Sequence, residues 1–101
     1  MMKHIVLFRK LAHVERQPEL EQQLVARMHA LDQAIDFVRE WRVSANELPR
    51  PICWDYVLEA SFDSREDLER YLPHEAHVSL VQALKVYFEW VACDYTCGEP
   101  L

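Results

Sequence analysis

The order of hydrophobic patterns along this chain predicts an α+β fold built on one antiparallel sheet. Residues 3–9, 37–43, 54–62 and 90–97 alternate or cluster their apolar side chains as strands do. Apolar residues with helical spacing fill the interval after the first strand and the interval after the third. The order strand, helix, strand, strand, helix pair, strand is that of a ferredoxin-like βαββαβ domain with a four-stranded antiparallel sheet. We expect one such domain over residues 1–101.

Local signals predict where the elements begin and end. Pro18 suits the first position of a helix that we expect to continue to about Ala34. The polar loop 44–51 ends the second strand, which we expect at or near a sheet edge. Ser64 is a natural N-cap and predicts a short helix over residues 65–71.

The residues best suited to catalysis lie at a predicted helix corner. Pro73 has no backbone N–H, so one helix should end just before it and Pro73 should open the next. His74, Glu75 and His77 then fall in the first turn, where the positive end of the helix dipole disfavours a charged imidazole. A neutral histidine is a usable base near neutral pH. Tyr71 and His77 could equally be amphipathic residues that seal the helix junction.

The composition excludes several classes of function. A hydrophobic fraction of 50% and an aromatic fraction of 11% are typical of a packed globule rather than a disordered chain. The net charge of −6 and the lack of a basic stripe argue against binding to nucleic acid or an anionic membrane. The N-terminal apolar run is too short for a signal peptide or a membrane span, so we expect a cytoplasmic protein. Cys53, Cys93 and Cys97 lack disulfide or zinc spacing, and we expect reduced thiols that fill the core.

The face of the sheet that the helices leave uncovered is predicted to be apolar. Its predicted members are Ile5, Leu7, Val57, Val91, Cys93 and Tyr95. Glu59 lies among them and needs a partner such as Arg42 on the neighbouring strand. A symmetric homodimer through this face would bury it, because a two-fold interface needs only one self-complementary patch.

The helix-covered face is predicted to hold a ligand pocket. His4 shares a row with Val6 and Phe8, and the corner with Tyr71 and His77 should pack over the same face. An apolar cleft with a few convergent polar groups suits a small organic ligand. The residues that we predict to contact such a ligand are Tyr56, Leu58, Leu24, Met28, Leu80 and Trp90.

Several motifs together point to a known family. They are the opening KHIVLF at residues 3–8, the strand YVLEASF at 56–62, Tyr71, the HEAH segment at 74–77 and the DY pair at 94–95. With these motifs the chain resembles the stress-responsive A/B barrel (Dabb) family of the dimeric α+β barrel superfamily over nearly its whole length. The resemblance implies a ferredoxin-like protomer that dimerises through its sheet into an α/β barrel.

The resemblance also implies roles for residues of the pocket. Some family members look like polyketide cyclases that need no cofactor, with a histidine matching His77 as base and a phenol matching Tyr71 on the carbonyl or enolate oxygen. His4 matches a pocket histidine of those enzymes. Two positions depart from the pattern: Glu75 stands where the family usually has a proline, and Tyr56 stands where a cyclase has a histidine.

The catalytic hypothesis is therefore specific. His77 removes a proton from a carbon between two carbonyls, Tyr71 donates to the enolate oxygen, and His4 orients the substrate or a water. We expect no cofactor, because the flanking carbonyls already delocalise the charge. The expected ligand is small and aromatic or polyketide-like.

Other functions remain open from the sequence. The protein could bind small molecules or support stress stability without catalysis. In a purely structural protein, side chains would fill the cleft. His74 and His77 have one-turn spacing for zinc, but only His4 or Glu75 is placed to be the third ligand, and we predict no metal site. An oxygenase role has only a histidine and Trp90 in its favour.

Overall fold

The computed structural model of the protein describes residues 1–98 and has the predicted ferredoxin-like architecture. The last three residues of the predicted domain lie outside this range. Four strands form one antiparallel sheet, in which the second strand along the chain lies at an edge, as predicted, and is followed by the third, the first and the fourth. The elements along the chain are β1 (Met2–Lys10), α1 (Pro18–Ala30), a 3-10 turn (Leu31–Ala34), β2 (Glu40–Ala45), β3 (Tyr56–Phe62), α2 (Arg65–Tyr71), α3 (Glu75–Leu84) and β4 (Phe88–Thr96).

The ends of the first helix and the second strand differ from prediction. The α-helical part of α1 stops at Ala30, and residues to Ala34 continue as a tighter 3-10 turn. Phe37 and Val38 pack against the core before β2 begins at Glu40. Apolar residues that pack from a loop resemble strand residues in a hydrophobic pattern, and this explains the early start that the sequence suggested.

The helix corner is capped by side chains rather than opened by proline. Ser64 Oγ accepts the Asp67 N–H at 3.2 Å, as predicted for α2. The expectation that Pro73 opens α3 is wrong, because His74 is the N-cap and its Nδ1 accepts the Ala76 N–H at 3.1 Å. Pro73 therefore precedes the cap, and the two helices are separated by a short bend.

The core lies between the helices and one face of the sheet. Large aromatic side chains are almost completely buried in it: Phe62 and Tyr71 are in contact near one end of β1, and Tyr87 and Phe88 are in contact near the other end. Met28 is fully buried as well. Such side chains bury large apolar areas and contribute most of the hydrophobic stabilisation. Within the part of the chain that the structure describes, no helix is long and apolar enough to cross a membrane.

The opposite face of the sheet is apolar and open to solvent in the protomer. Leu7 lies opposite Val91 in the register, and their exposed fractions are 39% and 50%. Arg42 lies directly across from Glu59, as the sequence suggested. The prediction that the cysteines fill the core is wrong, because Cys93 and Cys97 are exposed and Cys53 is only partly buried. Strand alternation places Cys93 on this outer face, opposite Ile5.

Candidate active site

A cavity of about 280 Å³ lies between the helices and the inner face of the sheet. It is about twice the volume of an apolar protein cavity that holds benzene, so it has room for a small organic molecule. Most of its wall is aliphatic or aromatic, and its polar side chains come from β1, β4 and the helix corner. The lining residues are His4, Val6, Phe8, Met28, Leu31, Leu58, Tyr71, Leu72, His77, Leu80, Val81, Leu84, Trp90, Ala92 and Asp94.

His4 is held by a carboxylate on the neighbouring strand. Its Nδ1 lies 2.5 Å from Asp94 Oδ1, and the His4 side chain is almost fully buried. An ionised carboxylate only accepts hydrogen bonds, so Nδ1 carries a proton and its N–H donates a hydrogen bond to Asp94. Nε2 of a neutral His4 is then left as an acceptor toward the cavity.

His77 is oriented by the backbone at the helix corner. Its Nδ1–H donates to the Leu72 carbonyl oxygen at 2.8 Å, which leaves Nε2 unprotonated in the neutral ring. Burial lowers the pKa of His77, and the nearby His4 and His74 lower it further, against the opposing effect of the Leu72 hydrogen bond. The sequence suggested a neutral imidazole because of the helix dipole, whereas desolvation is the larger cause here.

Tyr71 lies between the two imidazoles. Its ring centroid is 4.4 Å from that of His77 and 5.7 Å from that of His4. Its hydroxyl has no hydrogen-bond partner among residues 1–98. Within these residues, every fully buried polar side-chain atom has such a partner, so the Tyr71 hydroxyl oxygen is not fully buried. The hydroxyl is therefore reachable from the cavity. Burial raises the pKa of Tyr71, so the phenol stays protonated and is a donor.

The structure brings most of the predicted site residues together. His4, Tyr71 and His77 meet at one end of the cavity. The predicted ligand contacts that line it are Leu58, Met28, Leu80 and Trp90.

Two predicted ligand contacts lie outside the cavity lining. Tyr56 is on the covered side of the sheet, but its hydroxyl donates to Glu21 Oε2 at 2.5 Å. Tyr87 also donates to this carboxylate, so α1 holds both phenols away from the cavity. Leu24 is a residue of α1 that is buried in the core, and it does not line the cavity.

Asp94 is a site residue that the sequence reasoning did not select. The alternation of β4 places it on the inner face with Trp90 and Ala92, and the register places it opposite His4. A carboxylate on an otherwise apolar strand face needs a polar partner, and that signal could have identified it.

The corner histidines are engaged in local hydrogen bonds. Nδ1 of His74 accepts a backbone N–H at the start of α3, and Nδ1 of His77 donates to a backbone carbonyl. Across the described part of the chain, there is no group of three or more His, Cys, Asp or Glu side chains that could hold a metal ion.

The chain thus forms a ferredoxin-like protomer with an apolar cavity and a cluster of imidazole, phenol and carboxylate groups at one end. It matches the family model of the Stress responsive A/B Barrel Domain, Dabb, over residues 2–97, and it belongs to this family. The resemblance seen in the sequence is thereby confirmed.

Relatives extend the comparison. An uncharacterised protein of Streptomyces coelicolor is 33% identical over 95 residues, which cover 94% of this chain and 98% of that protein. A dimeric protein of unknown function and ferredoxin-like fold from Bacteroides fragilis has a TM-score of 0.76 at 28% identity, with 93% of both chains covered. A hydroxynitrile lyase from Passiflora edulis has a TM-score of 0.84 at 17% identity, with 99% of this chain and 95% of that chain covered. The last similarity concerns the fold alone.

Proposed function

We propose that the protein is a cofactor-independent enzyme that removes a proton next to the carbonyl group of a small organic substrate, as a cyclase or isomerase does. The observation that carries the proposal is the convergence of His77, Tyr71 and His4 on one end of an apolar cavity. A base and a hydrogen-bond donor that face the same largely apolar cavity are the two groups that enolate chemistry requires.

The reaction follows from the protonation states of these side chains. Nε2 of His77 takes a proton from the carbon beside the carbonyl, and the C–H electron pair becomes the carbon–carbon double bond of an enolate. The Tyr71 hydroxyl donates a hydrogen bond to the enolate oxygen. In a cyclase, the enolate carbon then attacks a second carbonyl of the same molecule, and the proton held by His77 neutralises the new alkoxide. His4 orients the substrate or a water, with Asp94 fixing its ring.

We also propose that the enzyme works as a homodimer through the outer face of the sheet. Support comes from the apolar surface around Leu7 and Val91, which a symmetric contact would cover. The Bacteroides fragilis protein with the same fold is a dimer. The outer face is opposite to the cavity, so dimerisation leaves the proposed site accessible from the helix side.

Exchange of substrate protons with solvent provides the direct test. Methyl ketones such as acetophenone, incubated in D₂O and followed by proton NMR, should lose their methyl signal faster with wild-type protein than without it. His77→Ala should abolish this acceleration. His29→Ala, which replaces an exposed histidine of α1, is the matched control and should retain it. Full activity in His77→Ala would remove that residue from the mechanism.

An NMR titration of the histidine resonances with the same ketones separates catalysis from binding alone. A protein that only binds small molecules would shift the histidine resonances in a saturable way without exchanging any substrate proton. That outcome would favour a non-enzymatic binding function for the cavity. Catalysis requires both saturable binding and accelerated exchange.

A further inference from the structure

The cavity has a polar end and an apolar end, arranged along the strands. In the register, His4 lies opposite Asp94, Val6 opposite Ala92, and Phe8 opposite Trp90. The polar pair and the aromatic pair are four residues apart, which is a distance of about 13 Å along a strand. Phe8 and Trp90 are in contact, with ring centroids 5.8 Å apart. A ligand that fills the cavity must therefore be polar at one end only.

Solvent reaches the cavity at its polar end and along the edge strand β4, where the lining residue Ala92 is exposed and Trp90 is partly buried. Asp94 and Leu72 are partly exposed lining residues at this end, with a side-chain exposure of 37% for Asp94 and an exposed fraction of 42% for Leu72. Phe8, Met28 and Leu84 at the interior are almost completely buried. A ligand that places its apolar part against these buried side chains keeps its polar group beside the imidazoles.

The charge of the polar end is negative or neutral. Among residues 1–98, no lysine or arginine lines the cavity, and Asp94 supplies the only carboxylate. Both histidines are acceptors at Nε2 when they are neutral, and in that state they offer no positive charge to an anionic group. A ligand carboxylate at this end would lose water and face a like charge, and both effects weaken its binding.

We infer that the cavity selects uncharged carbonyl compounds with an apolar tail and rejects carboxylates of the same shape. The carbonyl lies at the end formed by His4, Tyr71, His77 and Asp94, and the tail points toward Phe8 and Trp90. This inference rests on the proposed function for the position of the carbonyl. It adds the charge and shape of the substrate class, and Asp94 is the residue that determines the charge preference.

Two isosteric probes test the inference. The probes are 4-phenylbutan-2-one and 3-phenylpropanoate. A charged oxygen in 3-phenylpropanoate replaces the methyl group of the ketone, and the phenyl tail is the same in both. Binding is followed by NMR titration of the histidine resonances at about pH 8, where the probe carboxylate is ionised. Wild-type protein should bind the ketone at least tenfold more tightly than the carboxylate, given the effective dielectric near a protein surface.

Asp94→Asn should reduce this preference to about threefold or less, because asparagine can still accept from His4 Nδ1 but carries no charge. Asp63→Asn makes the same charge change on an exposed residue that pairs with Arg39, and it should leave the preference unchanged. Equal binding of the two probes to wild type, no binding of either, or an unchanged preference in Asp94→Asn would overturn the inference.

The outcomes are distinct from those that test the proposed function. Selective binding of the ketone without proton exchange would leave the inference standing and remove the proposed chemistry. Accelerated exchange together with tight binding of carboxylates would retain the chemistry and overturn the inference.

Discussion

Two buried tyrosines differ in the hydrogen bonds of their hydroxyl groups, and we expect one hydroxyl to contribute to stability and the other to catalysis. The Tyr87 hydroxyl donates to Glu21 Oε1 at 2.6 Å and accepts the Gln17 N–H at 3.2 Å. The Tyr71 hydroxyl bonds to none of the residues that the structure describes and is open to the cavity. Both rings are at most 1% exposed, so burial alone does not distinguish them.

The same substitution should therefore have opposite consequences at the two positions. Tyr71→Phe should change the free energy of unfolding by less than about 0.5 kcal/mol, because no protein hydrogen bond is lost. It should slow substrate proton exchange by about a hundredfold, as expected when a donor to the enolate is removed. Tyr87→Phe should cost about 1.5–3 kcal/mol of stability and retain exchange activity, since it removes a bond to a charged group. Urea unfolding and the exchange assay measure the two effects. Equal destabilisation by both variants would contradict the assignment for Tyr71.

The pKa of His77 links stability to pH. Burial lowers this pKa below the usual value of 6.5 in the folded protein. As pH falls below about 6.5, the unfolded chain binds a proton at His77 before the folded protein does, so this residue reduces stability progressively until pH reaches the folded-state pKa. Its unfavourable contribution vanishes above about pH 7.5. Urea unfolding of wild type and His77→Gln from about pH 5 to 8 should give a stability difference that changes in this window. A constant difference would show that the folded-state pKa is not depressed.

At the scale of secondary structure, His74 is a cap for α3 rather than a reacting group. Its Nδ1 accepts the Ala76 N–H. His74→Ala should lower the free energy of unfolding by about 1 kcal/mol, because the first turn of α3 loses its side-chain acceptor. His74→Asn should be nearly neutral, since asparagine is a favoured N-cap. Thermal unfolding of the two variants makes the comparison. Equal losses in both would mean that contacts of the imidazole ring, such as that with Phe37, outweigh the cap.

The fold could be predicted from local signals because most elements carry their own period or cap. The strand over Tyr56–Phe62 alternates throughout, and Ser64 caps the helix that follows, so both were predicted nearly at their observed ends. The errors fall where two local rules compete. Pro73 suits a first helical position, but the side chain of the next residue, His74, provides the cap. This hydrogen bond depends on the rotamer of His74, which the sequence does not reveal.

At the scale of the whole molecule, long-range register determines which residues form the site. The pairing of His4 with Asp94 joins residues 90 positions apart, and it depends on the strand order of the sheet. Tyr56 has the correct strand face for the cavity, yet Glu21 of α1 holds its hydroxyl elsewhere. Periodicity predicted the face of each residue, whereas these partners depend on how helix and sheet pack together.

Assembly is the remaining property at this scale, and the outer sheet face makes it testable. Val91 is half exposed opposite Leu7, in the middle of the apolar surface that the proposed dimer would bury. Val91→Glu would place a carboxylate from each subunit in that interface, and burying an unpaired charge costs several kcal/mol. The dimer should therefore weaken by at least about a hundredfold.

Val86→Glu makes the same chemical change at a residue that is 62% exposed and lies between α3 and β4 rather than on the sheet. It should leave the dimer intact. Sedimentation equilibrium of the wild type and both variants measures the dissociation constants, and circular dichroism checks that each remains folded. If Val91→Glu stays as dimeric as wild type, the subunits associate through another surface. If Val91→Glu alone becomes monomeric and keeps proton-exchange activity, the outer face forms the interface and each protomer contains a complete site.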